Sequence, residues 1–303
     1  MMWKRIAAAL LACLLLAAAA LAEANQSAEQ AQPTAMPENA PRVVDLTGNG
    51  DVLKVMGFNV VGTTNTRADD YTAVPSYLQG LLGSAQVLGN TWATDFDLEA
   101  IAALEPELIL IAPQHALLEP ELKKIAETKT VNLELRSWKM DMLSLGELLD
   151  RRTEVATWLD SYSAKALSVG ESIRKRLGDK TRCLALMISA GQLYAFVDVG
   201  LGGILYNDLG LSRPTGMSDR MGINMTTVGF EQLERLEIDH LFLIGDEADR
   251  RELKTQADWL RLPVVKKNHV IELATEPYLG MGYSCVGADR LLNEIETMLA
   301  AQA

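Results

Sequence analysis

The chain has 303 residues, of which 49% are hydrophobic and 22% charged, and its formal net charge at pH 7 is -12. That length is sufficient for two domains, each with its own core. The surplus of acidic side chains, 40 Asp and Glu against 28 Lys and Arg, argues against a nucleic-acid partner, because phosphate binding needs a basic surface. With three histidines and three cysteines, the composition also disfavours zinc proteins and disulfide scaffolds.

The first 24 residues have the pattern of a secretory signal peptide. A basic head precedes the apolar run 6–21, and small-x-small patterns suited to cleavage occur at 20–22 and 22–24. The run is short for a membrane span, so we predict an exported chain that works in the periplasm or an equivalent extracytoplasmic space. The segment 10–13 also resembles a bacterial lipobox, and lipid attachment at Cys13 is the less favoured alternative, since the residues that follow remain apolar.

Residues 25–41 have no apolar period and predict a flexible linker. From residue 42 onward, short apolar strands alternate with helical stretches. The predicted strands lie at 42–46, from 60, at 85–88, 108–111, 131–135, 184–189, 240–244 and 270–273, and a helix at 288–300 closes the chain. Such alternation is typical of a mostly parallel sheet with helices on its faces.

The segment 142–178 interrupts this alternation. It contains no proline, and its apolar residues recur at steps of three and four, which predicts one long helix ending at Gly178. We therefore predict an α/β fold with two Rossmann-like lobes, an N-terminal lobe at 42–141 and a C-terminal lobe at 179–303, joined by this helix. A ligand cleft is expected between the lobes, where loops from the strand ends meet.

Four groups of segments carry motifs in a characteristic order: 60–62 with 87–89, 97–110 (DLEAIAALEPELIL), 203–211 (GILYNDLGL) and 259–268 (WLRLPVVKKN). Together they resemble the substrate-binding proteins of ABC importers for iron-siderophores, haem and cobalamin. The resemblance extends over residues 42–299. It implies two lobes on a rigid helix and delivery of the bound ligand to a membrane permease.

The same resemblance implies two contacts with the permease in the cytoplasmic membrane. By motif position, the glutamates that pair with permease arginines are Glu99 in the N-terminal lobe and Glu231 in the C-terminal lobe. Each falls in the first turn of a predicted helix, a position that favours a carboxylate even without a partner, because of the helix dipole. The chain itself is expected to be a monomer.

The predicted cleft loops carry aromatic and polar side chains, a combination that suits a flat, partly apolar ligand. The candidate ligand-binding residues are Asn49, Thr64, Asn65, Arg67, Tyr71, Trp92, Gln114, His115, Trp138, Gln192, Tyr194, Arg213, Tyr278 and Tyr283. Because the chain is acidic, the arginines near the cleft, Arg67, Arg136 and Arg213, favour an anionic ligand such as a ferric siderophore.

The ligand class stays open between a ferric siderophore, haem and cobalamin. The stretch 189–192 has no arginine, unlike many siderophore binders, which counts against the hydroxamate class. Haem-binding relatives often carry a tyrosine where this chain has Asn90, but His115 or Tyr278 remain candidate iron ligands if the cargo is haem. No resident cofactor or directly bound metal is predicted, because iron would be carried only within the ligand.

Catalysis is not predicted. The sequence has no GxSxG, P-loop or HExxH motif, and its few histidines leave little capacity for general base chemistry. A ligand sensor that signals through a receptor is the second class of function considered, and it would use the same cleft. Loss of growth on the ligand, rather than loss of signalling, would separate transport from sensing.

Overall fold

The computed structural model describes residues 39–65, 72–133, 137–217 and 225–302. The predicted signal peptide, Cys13 and nearly all of the predicted linker lie outside these ranges, as do Arg67, Tyr71 and Arg136. Within the described ranges, none of the helices combines the length and apolar character needed to cross a bilayer.

The N-terminal lobe is built on a five-stranded parallel sheet with the strand order β3-β2-β1-β4-β5. Its helical segments are α1 (Gly50–Val55), a 3-10 turn (Ser76–Leu78), α2 (Gln79–Leu82), α3 (Leu98–Ala103), a second 3-10 turn (Pro113–His115) and α4 (Glu119–Leu122). Its strands are β1 (Arg42–Asp45), β2 (Asn59–Asn65), β3 (Gln86–Asn90), β4 (Leu108–Ile111) and β5 (Glu127–Thr130). Every residue of β4 is buried, as expected for a parallel strand covered on both faces.

The last strand of this sheet differs from the prediction. The apolar run at 131–135 was expected to form it, but β5 comprises the more polar residues Glu127–Thr130. An edge strand pairs on one side only and needs less apolar surface than a central strand. The apolar pattern therefore predicted this strand at the wrong residues. Val131 then continues the pairing with one backbone hydrogen bond of 2.9 Å to Ile111.

The predicted single helix over 142–178 is instead two helices, α5 (Trp138–Leu148) and α6 (Arg152–Leu177). The chain turns at Asp150, whose φ of 56° is incompatible with a continuous helix. The turn also brings Gly146 so close to Val155 that a Cβ atom at Gly146 would lie 2.6 Å from the Val155 side chain. The connection between the lobes is therefore a helical corner followed by one helix of 26 residues.

The C-terminal lobe has a mixed sheet with the order β10-β9-β6-β7-β8. Strands β6 (Cys183–Ser189), β9 (His240–Ile244) and β10 (Val270–Leu273) are parallel, whereas β7 (Gln192–Phe196) and β8 (Met225–Thr227) add antiparallel pairs. Its helices are α7 (Gly200–Gly203) with a π-helical turn (Ile204–Asp208), α8 (Phe230–Arg235), α9 (Glu247–Leu253), α10 (Ala257–Arg261), α11 (Pro263–Lys266), α12 (Thr275–Met281) and α13 (Cys285–Ala300). The predicted two-lobe α/β fold is thus confirmed.

One hydrophobic core extends through both lobes. It includes Val43 from the first sheet, Cys183 from the second, Tyr162 from α6 and Ile295 from α13. The sequence left open whether Cys183 pairs with Cys285, and in the structure both are buried free thiols. A continuous core of this kind opposes large rotations between the lobes, because parting them would expose packed apolar surface.

Residues that follow the carboxyl ends of strands in both sheets touch across the lobe boundary. The backbone N–H and hydroxyl of Ser76 each donate a 3.0 Å hydrogen bond to Glu276, which follows β10. Arg290 in α13 donates to the backbone oxygen of Tyr77 at 2.8 Å. These contacts join the two lobes.

Candidate functional site

The carboxyl edge of the first sheet holds a small cavity of about 40 Å³. Trp92, Pro113 and Gln114 are its exposed lining residues, and 55% of Trp92 is accessible to solvent. Thr47, Thr91, Ala112 and Leu133 complete the described lining. All of these residues belong to the N-terminal lobe, so the cavity is one wall of a site rather than an enclosed pocket.

Beneath this cavity lies a layer of buried polar side chains at the ends of β1, β2 and β3. The hydroxyls of Thr64 and Thr91 are 3.0 Å apart, and the amide of Asn65 donates to the backbone of Ala73 at 2.7 Å. The Asn49 amide, at the start of α1, donates to the backbone oxygen and the hydroxyl of Thr47. Of the predicted ligand contacts in this lobe, Thr64 and Asn65 are therefore buried supports, and Asn49 is half-buried.

Asp45 ends β1 and is completely buried. Its Oδ1 accepts hydrogen bonds from the backbone N–H and the hydroxyl of Thr47, at 2.9 and 2.5 Å. No donor in the described ranges reaches Oδ2. Burial raises the pKa of Asp45 to about 6, although the hydrogen bonds from Thr47 act in the opposite direction. The Asp45 carboxyl group is therefore held through Oδ1 to Thr47, a residue of the cavity wall.

His115, a candidate haem ligand, lies under the cavity and has no solvent exposure. Its Nε2 is 3.2 Å from the backbone oxygen of Thr91, and its Nδ1 is 3.3 Å from the backbone nitrogen of Ala112. Burial lowers the pKa of this imidazole. With both ring nitrogens engaged, this arrangement offers no lone pair to haem iron, in contrast to the role considered from the sequence.

Trp138 is not placed in the cleft. It is the first residue of α5, and its ring packs edge-on against Trp158 and Tyr162 of α6, with centroid distances of 5.6 and 5.0 Å. Only 8% of it is exposed. Ser137 caps α5, which turns the next side chain inward toward α6 rather than outward from the strand end.

Two further candidates in the C-terminal lobe are occupied by local contacts. Arg213 lies over the ring of Tyr206, 4.8 Å from its centroid. Tyr278 lines a groove with residues of α13, and burial together with Glu294 raises its pKa. The structure therefore places Tyr278 against α13 and does not bring it beside Trp92 and Gln114.

The remaining candidates of this lobe lie near the turn after β6 and near α7. Gln192 is exposed and pairs with Ser189 across the β6–β7 turn, and Tyr194 is half-buried on the same strand. Tyr283 packs on Gly200, where a Cβ atom would lie 3.0 Å from its ring. Among them, Gln192 has its side chain open to a ligand.

Both predicted docking glutamates are exposed in the first turn of a helix. Asp97 caps α3 and accepts hydrogen bonds of 3.0 Å from the backbone of Glu99 and Ala100. Glu231 follows Gly229, whose N–H donates to Gln232 at 2.9 Å. Neither glutamate forms an ion pair with any residue in the described ranges.

Three buried polar residues with hydrogen bonds near the strand ends and the lobe boundary were not singled out from the sequence: Asp45, Asp51 and Ser284. The first was included only as part of a strand. Asp51 and Ser284 were not considered, because their contact joins positions 233 residues apart. A signal for Asp45 was present in the sequence, since a carboxylate at the end of an otherwise apolar strand is unusual. Within the described ranges, no group of three or more metal-binding side chains occurs.

The comparison that decides the family covers most of the chain. Residues 42–277 match the sequence profile of the periplasmic binding proteins. The chain belongs to that family. This membership, together with the two-lobe fold, confirms the resemblance recognised in the sequence motifs.

Relatives within the family are described as iron-chelate binders. The chain is 26% identical over 250 residues to the iron(3+)-hydroxamate-binding protein FhuD of Bacillus subtilis, covering 78% of this chain and 75% of the relative. It is 22% identical over 276 residues to the petrobactin-binding protein YclQ of the same organism, covering 87% and 84%.

A solved structure of the same fold is FhuD2 of Staphylococcus aureus. Its unliganded form matches with a TM-score of 0.73 at 18% identity, covering 87% of this chain and 99% of FhuD2. Its complex with ferrioxamine B matches with a TM-score of 0.68 at 18% identity, covering 86% and 99%. At this identity the similarity shows the fold and does not identify the ligand.

Proposed function

We propose that this periplasmic binding protein is the extracytoplasmic solute-binding component of an ABC importer and that it captures a ferric siderophore between its lobes. The observation that carries the proposal is the exposure of Trp92 beside Gln114 at the carboxyl edge of the first sheet. Exposure of a tryptophan ring to water at the rim of a polar cavity is unfavourable, and a partly apolar ligand that covers the ring would remove that exposure.

The size of the cavity supports a ligand held by both lobes. A volume of about 40 Å³ is far below the several hundred Å³ typical of small-molecule sites. A siderophore must therefore extend beyond this wall toward the second lobe, where Gln192 is exposed at the β6–β7 turn. In the sequence, residues 66–71, which include Arg67 and Tyr71 and lie outside the described ranges, come directly after β2.

Within the siderophores, we favour a neutral or weakly charged hydroxamate complex. The exposed side chains of the described site, Trp92, Pro113, Gln114 and Gln192, carry no charge, and Arg213 is engaged with Tyr206. The missing arginine at 189–192, which from the sequence counted against hydroxamates, is thus consistent with a ligand that carries little negative charge. The hydroxamate binder FhuD among the relatives supports this choice.

Haem and cobalamin are the competing ligands of the same importer class. Coordination of haem iron needs a side chain with a free donor atom in the cleft. His115 is buried with both nitrogens engaged, and Tyr278 faces α13. We therefore rank haem below a siderophore and expect iron to reach the protein only inside its ligand, with no resident cofactor.

Delivery requires a partner in the cytoplasmic membrane. We propose that Glu99 and Glu231 pair with basic residues of the permease, since both are exposed and free of ion pairs within the described part of the chain. Exposed charges of this kind steer a transient complex and release it readily. The working form would be a monomer outside the cytoplasm, exported by the signal at 1–24, and would carry out no catalysis. A sensory role would instead need a receptor contact.

A titration of the purified protein with ferrioxamine B, petrobactin, haem and cobalamin tests the proposed ligand class. Isothermal calorimetry gives each dissociation constant, and the visible spectrum of the retained ligand identifies it. We expect ferrioxamine B to bind at least about a hundredfold more tightly than haem or cobalamin, a difference of about 2.7 kcal/mol. A retained Soret band, or equal affinity for all four ligands, would reject the proposal.

A further inference from the structure

The buried His115 has a defined protonation state because of its partners. The backbone N–H of Ala112 can only donate, so Nδ1 at 3.3 Å must accept. The ring proton then resides on Nε2 and is donated to the backbone oxygen of Thr91, 3.2 Å away. Phe96 packs edge-on against the ring, with a centroid distance of 5.3 Å. The geometry thus selects a neutral imidazole with its proton on Nε2.

This imidazole connects the two loops that carry the exposed cavity side chains. Thr91 immediately precedes Trp92, and Gln114 immediately precedes His115. In the part of the chain that the structure describes, His115 is the side chain that hydrogen-bonds the loop after β3 to the loop after β4. Thr91 is held from a second direction by the hydroxyl of Thr64, at 3.0 Å.

The backbone of the first loop fits closely around the same threonine. A Cβ atom on Gly48 would lie 2.9 Å from the Thr91 hydroxyl, so the turn after β1 rests on Thr91. Gly48 has a φ of 77°, which favours glycine. Three strand-end loops therefore converge on Thr91, and His115 fixes its backbone carbonyl.

We propose that His115 is a positioning residue for ligand capture, which through Thr91 holds Trp92 at a fixed distance from Gln114. This role of His115 rests on the proposed function only for the identity of the ligand. Preorganising two contact side chains lowers the conformational entropy that a ligand must overcome on binding. His115 itself does not touch the ligand, because it is fully buried.

The tautomer is tested first, without any ligand or mutation. Long-range ¹H–¹⁵N correlation spectra of the full chain distinguish a proton on Nε2 from one on Nδ1 and from the charged ring. We expect the neutral Nε2–H form for His115 at pH 7. A charged ring, or a proton on Nδ1, would overturn the proposal, because neither can accept from Ala112 while donating to Thr91.

A matched pair of substitutions then separates positioning from packing. In His115→Gln the amide nitrogen extends as far as Nε2 and preserves the donor to Thr91. In His115→Asn the shorter amide preserves an acceptor near Ala112 but loses that donor. Both remove the aromatic ring that packs on Phe96. We expect ferrioxamine B affinity to fall by about tenfold in the asparagine variant and by about threefold or less in the glutamine variant. Equal losses in both would indicate packing alone and reject the proposal.

A readout that needs no ligand keeps this test separate from the proposed function. Trp92 is the most exposed of the described tryptophans, and subtracting the emission of a Trp92→Phe variant isolates its signal. We expect the fluorescence anisotropy of Trp92 to fall in His115→Asn and to stay at the wild-type value in His115→Gln. If ferrioxamine B does not bind the wild type, the ligand class fails while this comparison still decides the positioning role. Unchanged anisotropy of Trp92 in the asparagine variant would overturn the positioning role of His115. If neither variant folds, the tautomer of His115 measured in the wild type decides the proposal.

Discussion

The hydroxyl of Ser284 donates a 2.5 Å hydrogen bond to Oδ2 of Asp51 across the boundary between the lobes. The same hydroxyl accepts from the backbone N–H of Gly287 at 3.1 Å and so caps α13. Both residues are buried, and the thiol of Cys285 lies 3.3 Å from the same carboxylate oxygen. One side chain thus starts the last helix of the C-terminal lobe and anchors it to the N-terminal lobe.

Because Ser284 has both roles, we expect its replacement to lower the free energy of unfolding more than the loss of a helix cap alone would. Ser284→Ala should lower the free energy of unfolding by about 3 kcal/mol, because a helix cap is lost and a buried carboxylate loses a donor. Ser137→Ala is the matched control, since Ser137 caps α5 with a hydrogen bond of 3.4 Å and forms no hydrogen bond to the other lobe within the described ranges. It should cost about 1 kcal/mol. Urea unfolding measures both, and equal losses would show that the bond to Asp51 contributes nothing.

The raised pKa of Asp45 predicts that the free energy of unfolding falls as the pH rises. Its pKa of about 6 in the folded protein exceeds the ordinary 3.8, so between these values the folded state binds more protons than the unfolded state. Stability contributed by the protonated form is therefore present below about pH 4 and is lost as the pH rises through about 6. The full loss is roughly 3 kcal/mol for a shift of this size.

Replacing Asp45 isolates that contribution. The variant Asp45→Asn retains an oxygen that accepts from Thr47 but does not titrate. We expect the difference in unfolding free energy between wild type and variant to change by roughly 3 kcal/mol between pH 4 and pH 7, in favour of the variant at the higher pH. Asp95→Asn, at an exposed position, should show no such change. A pH-independent difference for Asp45→Asn would refute the explanation.

The elements that the sequence predicted well are those whose pattern follows from local burial. Strand β4 is a continuous apolar run, β9 is apolar after His240, and both are buried throughout, so their positions followed from composition. The break before α6 was missed because Leu149 and Val155 are both buried on either side of it, and the apolar spacing continues through the turn. Apolar periodicity shows which residues face a core. It does not reveal a turn when the residues on both sides of the turn face the same core.

The site was predicted less completely, for a different physical reason. Trp92 and Gln114 line one cavity, as expected for strand-end loops that meet at one edge of a parallel sheet, and their contact with a ligand stays a prediction. The hydrogen bonds of His115 could not be predicted from the sequence, because its partners are backbone atoms of Thr91 and Ala112, which are the same for every residue type. Trp138 was misplaced because the nearby cap at Ser137 was not used as a helix start signal.

The corner between α5 and α6 gives a prediction about backbone strain. Asp150 has a φ of 56°, a region in which a side chain is unfavourable and glycine is not. Asp150→Gly should therefore raise the free energy of unfolding by about 0.5 kcal/mol. The same substitution at Asp160, exposed inside α6, should lower it by about 0.5 kcal/mol, because glycine weakens a helix interior. Thermal denaturation compares them, and a shift of the same sign in both would contradict the strain at Asp150.

The proposed docking of the permease predicts a separation of uptake from ligand affinity. The double variant Glu99→Ala with Glu231→Ala should lose import of the iron chelate in whole cells, since two charged contacts are removed. Its affinity for ferrioxamine B should stay within about twofold of the wild type. The control Glu154→Ala with Glu171→Ala changes the net charge equally at exposed positions of α6 and should transport normally. Normal uptake by the first pair, or loss in both pairs, would contradict the assignment.

We predict that Trp92 makes the largest single contribution to ligand affinity among the described residues. Trp92→Ala should weaken ferrioxamine B binding by about thirtyfold, because a rigid apolar surface that is preformed at the cleft is removed. Trp92→Phe retains an aromatic face and should stay within about fivefold of the wild type. Trp158→Phe serves as the control, since Trp158 stacks on Tyr162 between α5 and α6 and should leave affinity unchanged. Calorimetric titration measures all three, and wild-type binding by Trp92→Ala would place the ligand elsewhere on the protein.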